Sequence, residues 1–106
     1  MKVSEILELV DAVKSNELSD SVKIRWLCDV EGRILCEIHK KKPEEIKAIK
    51  GSEDILSVPG PYSRLYLFYL AAMIDFSSGD SAAFARSNVA FEKAFEEYAK
   101  YVLRSR

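Results

Sequence analysis

Apolar and polar residues follow a helical repeat over most of the chain. Apolar residues recur every three or four positions over residues 3–14, while acidic residues occupy the opposite face. Because 3.6 residues complete one turn, this spacing predicts an amphipathic helix. Ser4 is its predicted N-cap, since a serine side chain accepts a hydrogen bond from a free backbone amide of the first turn. Asn16 and Ser19 indicate the turn that follows.

A second helix is predicted over residues 19–40. Ser19 is its predicted N-cap, and the proline at position 43 is expected to stop it. Apolar residues recur every four positions from Val22 onward, and neighbouring isoleucine and leucine residues widen this face to roughly 200°. A face of that width predicts burial between two neighbouring elements. Trp26 is the expected contact between this helix and the core.

Two more helices are predicted over residues 61–78 and 81–103. The first of them is apolar on nearly all sides, which predicts a central helix covered by neighbours. Gly79 is expected to end it, and Asp80 or Ser81 to cap the helix that follows. A turn this tight makes the two helices an antiparallel hairpin. All phenylalanine and tyrosine residues fall within or beside this hairpin, so it should hold the aromatic part of the core.

The irregular part of the chain is residues 43–60, called the arm below. Pro43 favours a short helix at its start, and residues 55–58 have the pattern of an extended segment. The Pro-Gly-Pro sequence at 59–61 forces a turn. The chain is therefore predicted to form one all-α domain over residues 1–106, with four main helices and this arm.

Charge and composition argue against a nucleic-acid-binding protein, a membrane protein and a secreted protein. The chain carries 16 basic and 17 acidic residues, whereas a dedicated nucleic-acid binder usually has a clear basic excess. The longest uncharged run, residues 65–74, is about half of the roughly 18 apolar residues that span a bilayer. The N-terminal residues lack a signal-peptide pattern. We therefore expect a cytosolic protein with reduced cysteines, whose partners include no membrane and no sequence-specific nucleic acid.

The residue types that carry out chemistry are few and scattered. Cys28 and Cys36 are eight positions apart on one predicted helix, about 12 Å along its axis, so they cannot form a disulfide within the chain. His39 is the single histidine, and no zinc-binding spacing accompanies it. These observations favour a protein that is not an enzyme and that needs no cofactor or metal.

Two polar residues fall on apolar helix faces. Asp75 interrupts the most apolar helix, and Asn88 lies on the aromatic face of the next one. A buried carboxylate needs hydrogen-bonding partners, because its desolvation is otherwise costly. The hairpin could bring these two residues together, or bring them near Arg64 or Arg86. Their expected role is structural, either setting the register of the hairpin or capping a helix end, and a contact between subunits is the alternative.

The only basic patch in the sequence is residues 40–50, which hold five lysines and two glutamates. Lys40, Lys41 and Lys42 begin it at the predicted end of the second helix, where cations are favoured by the helix dipole. Two interpretations stay open. The three lysines are either a solvated helix end or a contact with phosphates or an acidic protein surface.

The order of the short motifs resembles one family of viral structural proteins. The motifs are Arg25-Trp26-Leu27, Val30-Glu31-Gly32-Arg33-Ile34, Glu37-Ile38, the segment from Asp54 to Tyr62, Leu65-Tyr66, Tyr69-Leu70, Met73-Ile74-Asp75, Gly79-Asp80, and the series Phe91, Phe95, Tyr98 and Tyr101. Together they are similar to head–tail connector proteins of tailed bacteriophages and prophages, also called adaptor or head-completion proteins. The resemblance covers about residues 3–103.

The resemblance implies a non-enzymatic subunit that assembles as a ring homo-oligomer in the virion neck. Such a ring docks beneath the portal protein, extends the channel for packaged DNA and offers a platform to a tail-side neck protein. During assembly the subunit would occupy the cytoplasm of the host bacterium. Arms of this kind can add to the surface of a neighbouring subunit. The residues expected at protein contacts are Ile55, Leu56, Val58 and Tyr62, with Lys40, Lys41 and Lys42.

Two other functions stay open from the sequence. The predicted hairpin is similar to one helix pair of a tetratricopeptide-type repeat, which would make the chain a small protein-binding module. Stable arrays of that kind need about three repeats, and the first two helices do not match the pattern. A DNA-binding regulator is the other alternative, although a recognition helix must leave one face free for the groove.

Overall fold

Four α-helices make up most of the chain. The computed structural model describes residues 1–105, with α1 at Val3–Val13, α2 at Asp20–Glu37, α3 at Arg64–Ser78 and α4 at Ser81–Arg104, and a 3-10 turn at Pro43–Glu45. Over these residues there is no strand, and Lys2 and Ile55 form an isolated antiparallel bridge. The prediction of an all-α fold with four helices is confirmed.

The third helix is central. α3 contacts each of the other three helices and packs most extensively against α4. Phe76 and Phe84 touch beside the turn, with ring centroids 5.6 Å apart, and Tyr62 stacks on Tyr101 at the far end of the pair. The two helices therefore form the predicted antiparallel hairpin. The core is completed by buried side chains of α1 and α2, namely Val3, Ile6, Leu7, Val10, Leu27, Val30 and Ile34.

Helix ends follow local chemistry at three of the predicted positions. The Ser19 hydroxyl accepts from the backbone N–H of Val22 at 3.4 Å. Gly79 adopts the left-handed conformation, with φ of 79°, that ends α3, and Asp80 accepts from the N–H of Ala83 at 3.0 Å to cap α4. These assignments are confirmed because each depends only on residues within one turn.

The predicted N-cap of the first helix is wrong. Lys2, not Ser4, is the N-cap of α1, and its backbone N–H donates to the carboxylate of Glu5 at 3.2 Å. Ser4 is already helical, and its N–H donates to the carbonyl of Ser52 in the arm at 2.8 Å. The arm therefore satisfies an amide of the first turn that a side-chain cap would otherwise take.

The second helix ends earlier than its sequence pattern predicts. α2 stops at Glu37, because Lys40 adopts a left-handed conformation with φ of 61° and the N–H of Lys41 turns back to the carbonyl of Leu35 at 2.9 Å. Glycine or asparagine usually supplies that conformation at a helix end. The third helix likewise begins at Arg64 rather than position 61, because the chain still forms a turn over residues 59–62.

The buried face of α2 is the predicted one at Leu27, Val30 and Ile34, which are all buried, but it differs near the start of the helix. Val22 is exposed and Trp26 is half-buried at the edge of the core, whereas Leu27 is fully buried. Four residues turn about 400° around the helix axis, so each side chain in a series spaced by four lies about 40° further from the starting face. Such a series therefore cannot follow one face through five positions. The charged residues Lys23 and Glu31 lie on the buried face instead.

Candidate interaction surface

The arm is pinned to the N-terminus. The N–H of Leu56 donates to the carbonyl of Met1 at 2.9 Å, and the N–H of Val3 donates to the carbonyl of Asp54 at 2.9 Å. An exposed ion pair of 3.1 Å joins Lys2 to Glu53 beside these bonds. The middle of the arm is therefore held along the start of α1 rather than left as a free loop.

A buried carboxylate holds the same segment from its other side. Glu31 of α2 accepts from the Ser57 N–H at 2.7 Å and from the Ser57 hydroxyl at 3.0 Å. It also accepts from the hydroxyl of Tyr66 on α3 at 2.6 Å, and that hydroxyl accepts from the N–H of Val58 at 3.1 Å. We call Glu31, Ser57, Val58 and Tyr66 the Glu31 network. It joins α2, α3 and the arm.

The hydroxyl of Tyr66 stays protonated in this network. Burial, together with the adjacent Glu31 carboxylate, raises the pKa of the Tyr66 phenol well above its ordinary value of 10.0. The phenol is therefore a reliable donor to Glu31. Hydrogen bonds to an ionised acceptor are stronger than those between neutral groups, so three donors compensate the desolvation of Glu31.

The structure separates the arm residues expected at a protein contact. Ile55 is 75% exposed, whereas Leu56 and Val58 are buried in the core of their own chain. The bonds from Ser57 and Val58 to the Glu31 network turn these alternate side chains inward. Of the three aliphatic side chains predicted at a contact, only that of Ile55 is exposed to solvent.

Tyr62 belongs to an aromatic cluster where the arm meets α4. Its ring stacks on Tyr101 with centroids 4.7 Å apart and lies 5.7 Å from Tyr98. The ring Nε2 of His39 is 2.9 Å from the Tyr98 hydroxyl. His39 is thus a packing partner of this cluster, and Tyr62 is half-buried rather than fully available to a partner.

The lysine cluster is exposed. Lys40, Lys41 and Lys42 follow the end of α2, and none of them is in an ion pair within the described residues. The same holds for Lys47 and Lys50 further along the arm. This arrangement leaves both interpretations of the cluster open.

Asp75 has structural partners, but they differ from the predicted ones. Its carboxylate accepts from the ammonium of Lys14 at 2.5 Å and from the hydroxyl of Ser87 at 3.0 Å. Arg64, Arg86 and Asn88 were the expected partners, and that expectation is wrong. The reason is that α1 lies alongside α3 and ends next to Asp75, which brings in a lysine from another helix. Asn88 is half-buried and makes no side-chain hydrogen bond within residues 1–105.

Two buried charged residues were missed by the sequence analysis. Glu31 and Lys23 each lie four residues from Leu27, on the face that packs into the core. The Lys23 ammonium is 2.6 Å from the carboxylate of Asp11, which links α2 to α1. Each of the two charged residues lies four residues from a core leucine, and this spacing was the feature of the sequence that placed both on the buried face. Nothing in the sequence around Ser57 or Tyr66 indicated that these residues would contact Glu31.

A groove of about 340 Å³ runs between α3 and α4 on the surface of the hairpin. Its lining residues are Pro61, Tyr62, Arg64, Phe68, Ala90, Lys93, Ala94 and Glu97. Its apolar residues Phe68, Ala90 and Ala94 are half-buried and form what we call its floor, while its charged residues are exposed. We call this the hairpin groove.

The groups that could carry catalysis or metal binding are dispersed. No set of three His, Cys, Asp or Glu side chains in residues 1–105 is placed to hold a metal ion. Cys28 and Cys36 are free thiols, both half-buried. Over the same residues, no helix is long and apolar enough to cross a membrane.

Searches of protein-family models, curated proteins and solved structures found no match to this chain. The functional proposal therefore draws on the order of the sequence motifs and on the geometry of the arm and its surroundings.

Proposed function

We propose that the chain is a head–tail connector subunit of a tailed bacteriophage or prophage. It would assemble as a ring beneath the portal protein and link the head to the tail. The motifs that carry the resemblance support this proposal, because two of them supply side chains that hold the arm. Glu31 and Tyr66 lie in those motifs, and both hold the arm in place.

The observation that carries the proposal is a fixed arm with an exposed apolar side chain. Ile55 stays 75% exposed although its neighbours Leu56 and Val58 are buried. A subunit of a ring contacts its two neighbours through two different surfaces, because the interface is head-to-tail. A projection on one surface and a recess on another suit such an interface, and the arm supplies the projection.

The lysine cluster is a candidate contact with a different protein of the neck, rather than with another copy of this chain. Lys41 and Lys42 are exposed, and neither is in an ion pair among residues 1–105. Charges of one sign on an exposed surface steer association with an oppositely charged partner. We propose an acidic surface of the portal or tail-side protein as their target.

The hairpin groove supports a second candidate, a small tetratricopeptide-like binding module. Its apolar floor and charged sides have the composition of a peptide-binding groove. A chain that stays monomeric and binds an extended peptide there would favour this alternative over the connector.

The test is sedimentation velocity of the full chain at high concentration, alone and with the portal protein encoded in the same gene neighbourhood. We expect co-sedimentation with portal. Lys41→Glu with Lys42→Glu should weaken that binding and its dependence on salt. Arg25→Glu with Arg86→Glu is the matched control, since it makes the same charge change at exposed positions elsewhere. A strict monomer that ignores portal would count against the connector.

A further inference from the structure

We propose that the hairpin groove receives the arm of a second copy of this chain, with Ile55 inserted between α3 and α4. This inference rests on the proposed assembly into a ring and identifies the two surfaces that join neighbouring subunits. It assigns a role to the most exposed isoleucine of the arm and to the hairpin groove together.

Ile55 is preorganised for insertion into the hairpin groove of another copy. Its backbone is bridged to Lys2, and the neighbouring residues are tied to Met1 and to the Glu31 network. The side chain is therefore held in water by a backbone that is already fixed. Binding through such a segment loses little conformational entropy, which is the advantage of a preorganised contact.

The hairpin groove offers half-buried apolar side chains. Ala90 and Ala94 have short side chains on α4, and they leave a recess whose floor is completed by Phe68 of α3. All three residues are half-buried, so their remaining apolar surface is open to solvent. Covering that surface with the isoleucine of a neighbour would remove apolar area from water on both subunits.

The charges beside the two surfaces are of opposite sign. Glu53 and Asp54 precede Ile55; Glu53 is paired with Lys2, so Asp54 is the anion of this segment without an ion pair among residues 1–105. Arg64 and Lys93 stand beside the groove, and neither is in an ion pair among residues 1–105. Glu97 also lines the groove, so its two cations outnumber one anion. The arm segment with Lys2 carries one cation and two anions, a net charge of −1, and the groove carries two cations and one anion, a net charge of +1, so the two surfaces attract each other.

The groove is not filled by the arm of its own chain. Ile55 lies beside Lys2 at the start of α1 and is not among the groove residues. One chain thus presents a projection and a recess on separate surfaces. A contact between them is head-to-tail, so it continues from copy to copy and closes into a ring when the rotation permits.

Disulfide trapping tests the contact directly. Ile55→Cys combined with Ala90→Cys, in a chain that also carries Cys28→Ser and Cys36→Ser, is oxidised at high protein concentration. We expect a ladder of covalent oligomers, because each chain offers one thiol of each kind to a different neighbour. Ile55→Cys alone should give no product beyond a dimer. The control pair Val13→Cys with Ala85→Cys, both at exposed helix positions, should give no ladder.

A mixing experiment supplies the second measurement. Ile55→Asp removes the projection and Ala90→Trp fills the recess, and we expect each to weaken self-association about tenfold or more in sedimentation velocity. Mixed together, the two variants should stop at a heterodimer, since only one projection and one recess remain. Val13→Asp and Ala85→Trp are the controls, and circular dichroism verifies that every variant keeps its helices.

The outcomes separate this inference from the proposed function. A wild-type chain that forms oligomers, alone or on portal, while Ile55→Asp and Ala90→Trp assemble equally well would overturn the groove contact and leave the connector proposal standing. A wild-type chain that stays monomeric under both conditions would overturn both. A ladder with capped heterodimers supports the contact.

Discussion

The two ends of the helical bundle hold buried charges in different ways. At the end that carries the arm, Glu31 accepts hydrogen bonds only from neutral groups, the hydroxyls of Tyr66 and Ser57 and a backbone amide. At the end that carries the α3–α4 turn, Asp75 is held by the ammonium of Lys14 and by a serine hydroxyl. Both carboxylates are buried, yet one is part of an ion pair and the other is not.

This difference predicts how the stability that each end contributes should depend on salt concentration. A carboxylate held by neutral donors keeps its bonds at any ordinary ionic strength, whereas an ion pair with a partly exposed partner is weakened by salt. Lys14 is 28% exposed in its side chain. The arm, which we propose to join subunits, is thus fixed by the tether that is less sensitive to salt.

The largest expected effect comes from breaking the arm tether. Glu31→Ala leaves the Tyr66 hydroxyl and the Ser57 amide without their acceptor, so we expect the free energy of unfolding to fall by about 3 kcal/mol. Chemical denaturation measures the loss, which should be nearly the same at low and high salt. Glu37→Ala on the exposed side of α2 removes only a surface pair with Arg33 and should cost about 0.5 kcal/mol or less. Equal losses for the two variants would show that the tether is weak.

A smaller effect is expected at the other end. Asp75→Asn keeps the shape of the side chain but removes the charge that Lys14 meets, so the free energy of unfolding should fall by about 1–2 kcal/mol at low salt. The loss should shrink as salt is added, because screening already weakens the pair in the wild-type chain. Glu96→Gln, a charge change of the same size on the exposed face of α4, is the control. A loss that does not depend on salt would remove the contrast between the two ends.

The smallest effect is expected at the ion pair between α1 and α2, where Asp11 is 48% exposed and the buried Lys23 also has Asp20 at 3.8 Å. Hydrogen bonds from Lys23 and then Asn16 hold the pKa of Asp11 below its ordinary value of 3.8. A depressed pKa in the folded state gives stability that is present above pH 3.8 and is lost as the pH falls through the folded-state value. Asp11→Asn should therefore cost less than about 1 kcal/mol at neutral pH.

The pH profile of that variant is the sharper measurement. As the pH falls below 3.8 and through the lowered pKa of folded Asp11, the gap between Asp11→Asn and the wild-type chain should close, because the folded wild-type carboxylate becomes protonated over that range. Glu8→Gln, exposed on the same helix, should leave the profile of the wild-type chain unchanged. A constant gap from pH 6 to pH 2 would show that the charge of Asp11 does not stabilise the fold.

The sequence by itself determined the number and type of the helices. Their apolar repeats, the N-cap at Ser19, the left-handed Gly79 and the cap at Asp80 are local features, encoded within one or two turns of chain. The same local reading identified Asp75 as a buried polar residue. It misplaced the end of α2 and the first part of its buried face, because the left-handed Lys40 and the drift of positions spaced by four depart from the local pattern.

Only the tertiary structure decided what the buried charges contact and which arm residues face outward. Glu31 is 26 residues from Ser57 and 35 from Tyr66, and Lys14 is 61 residues from Asp75. A repeat of three or four residues specifies a helix face, but it does not specify which distant side chain will meet that face. The burial of Leu56 and Val58 and the exposure of Ile55 follow from those long-range bonds, because they set which way the arm turns its side chains.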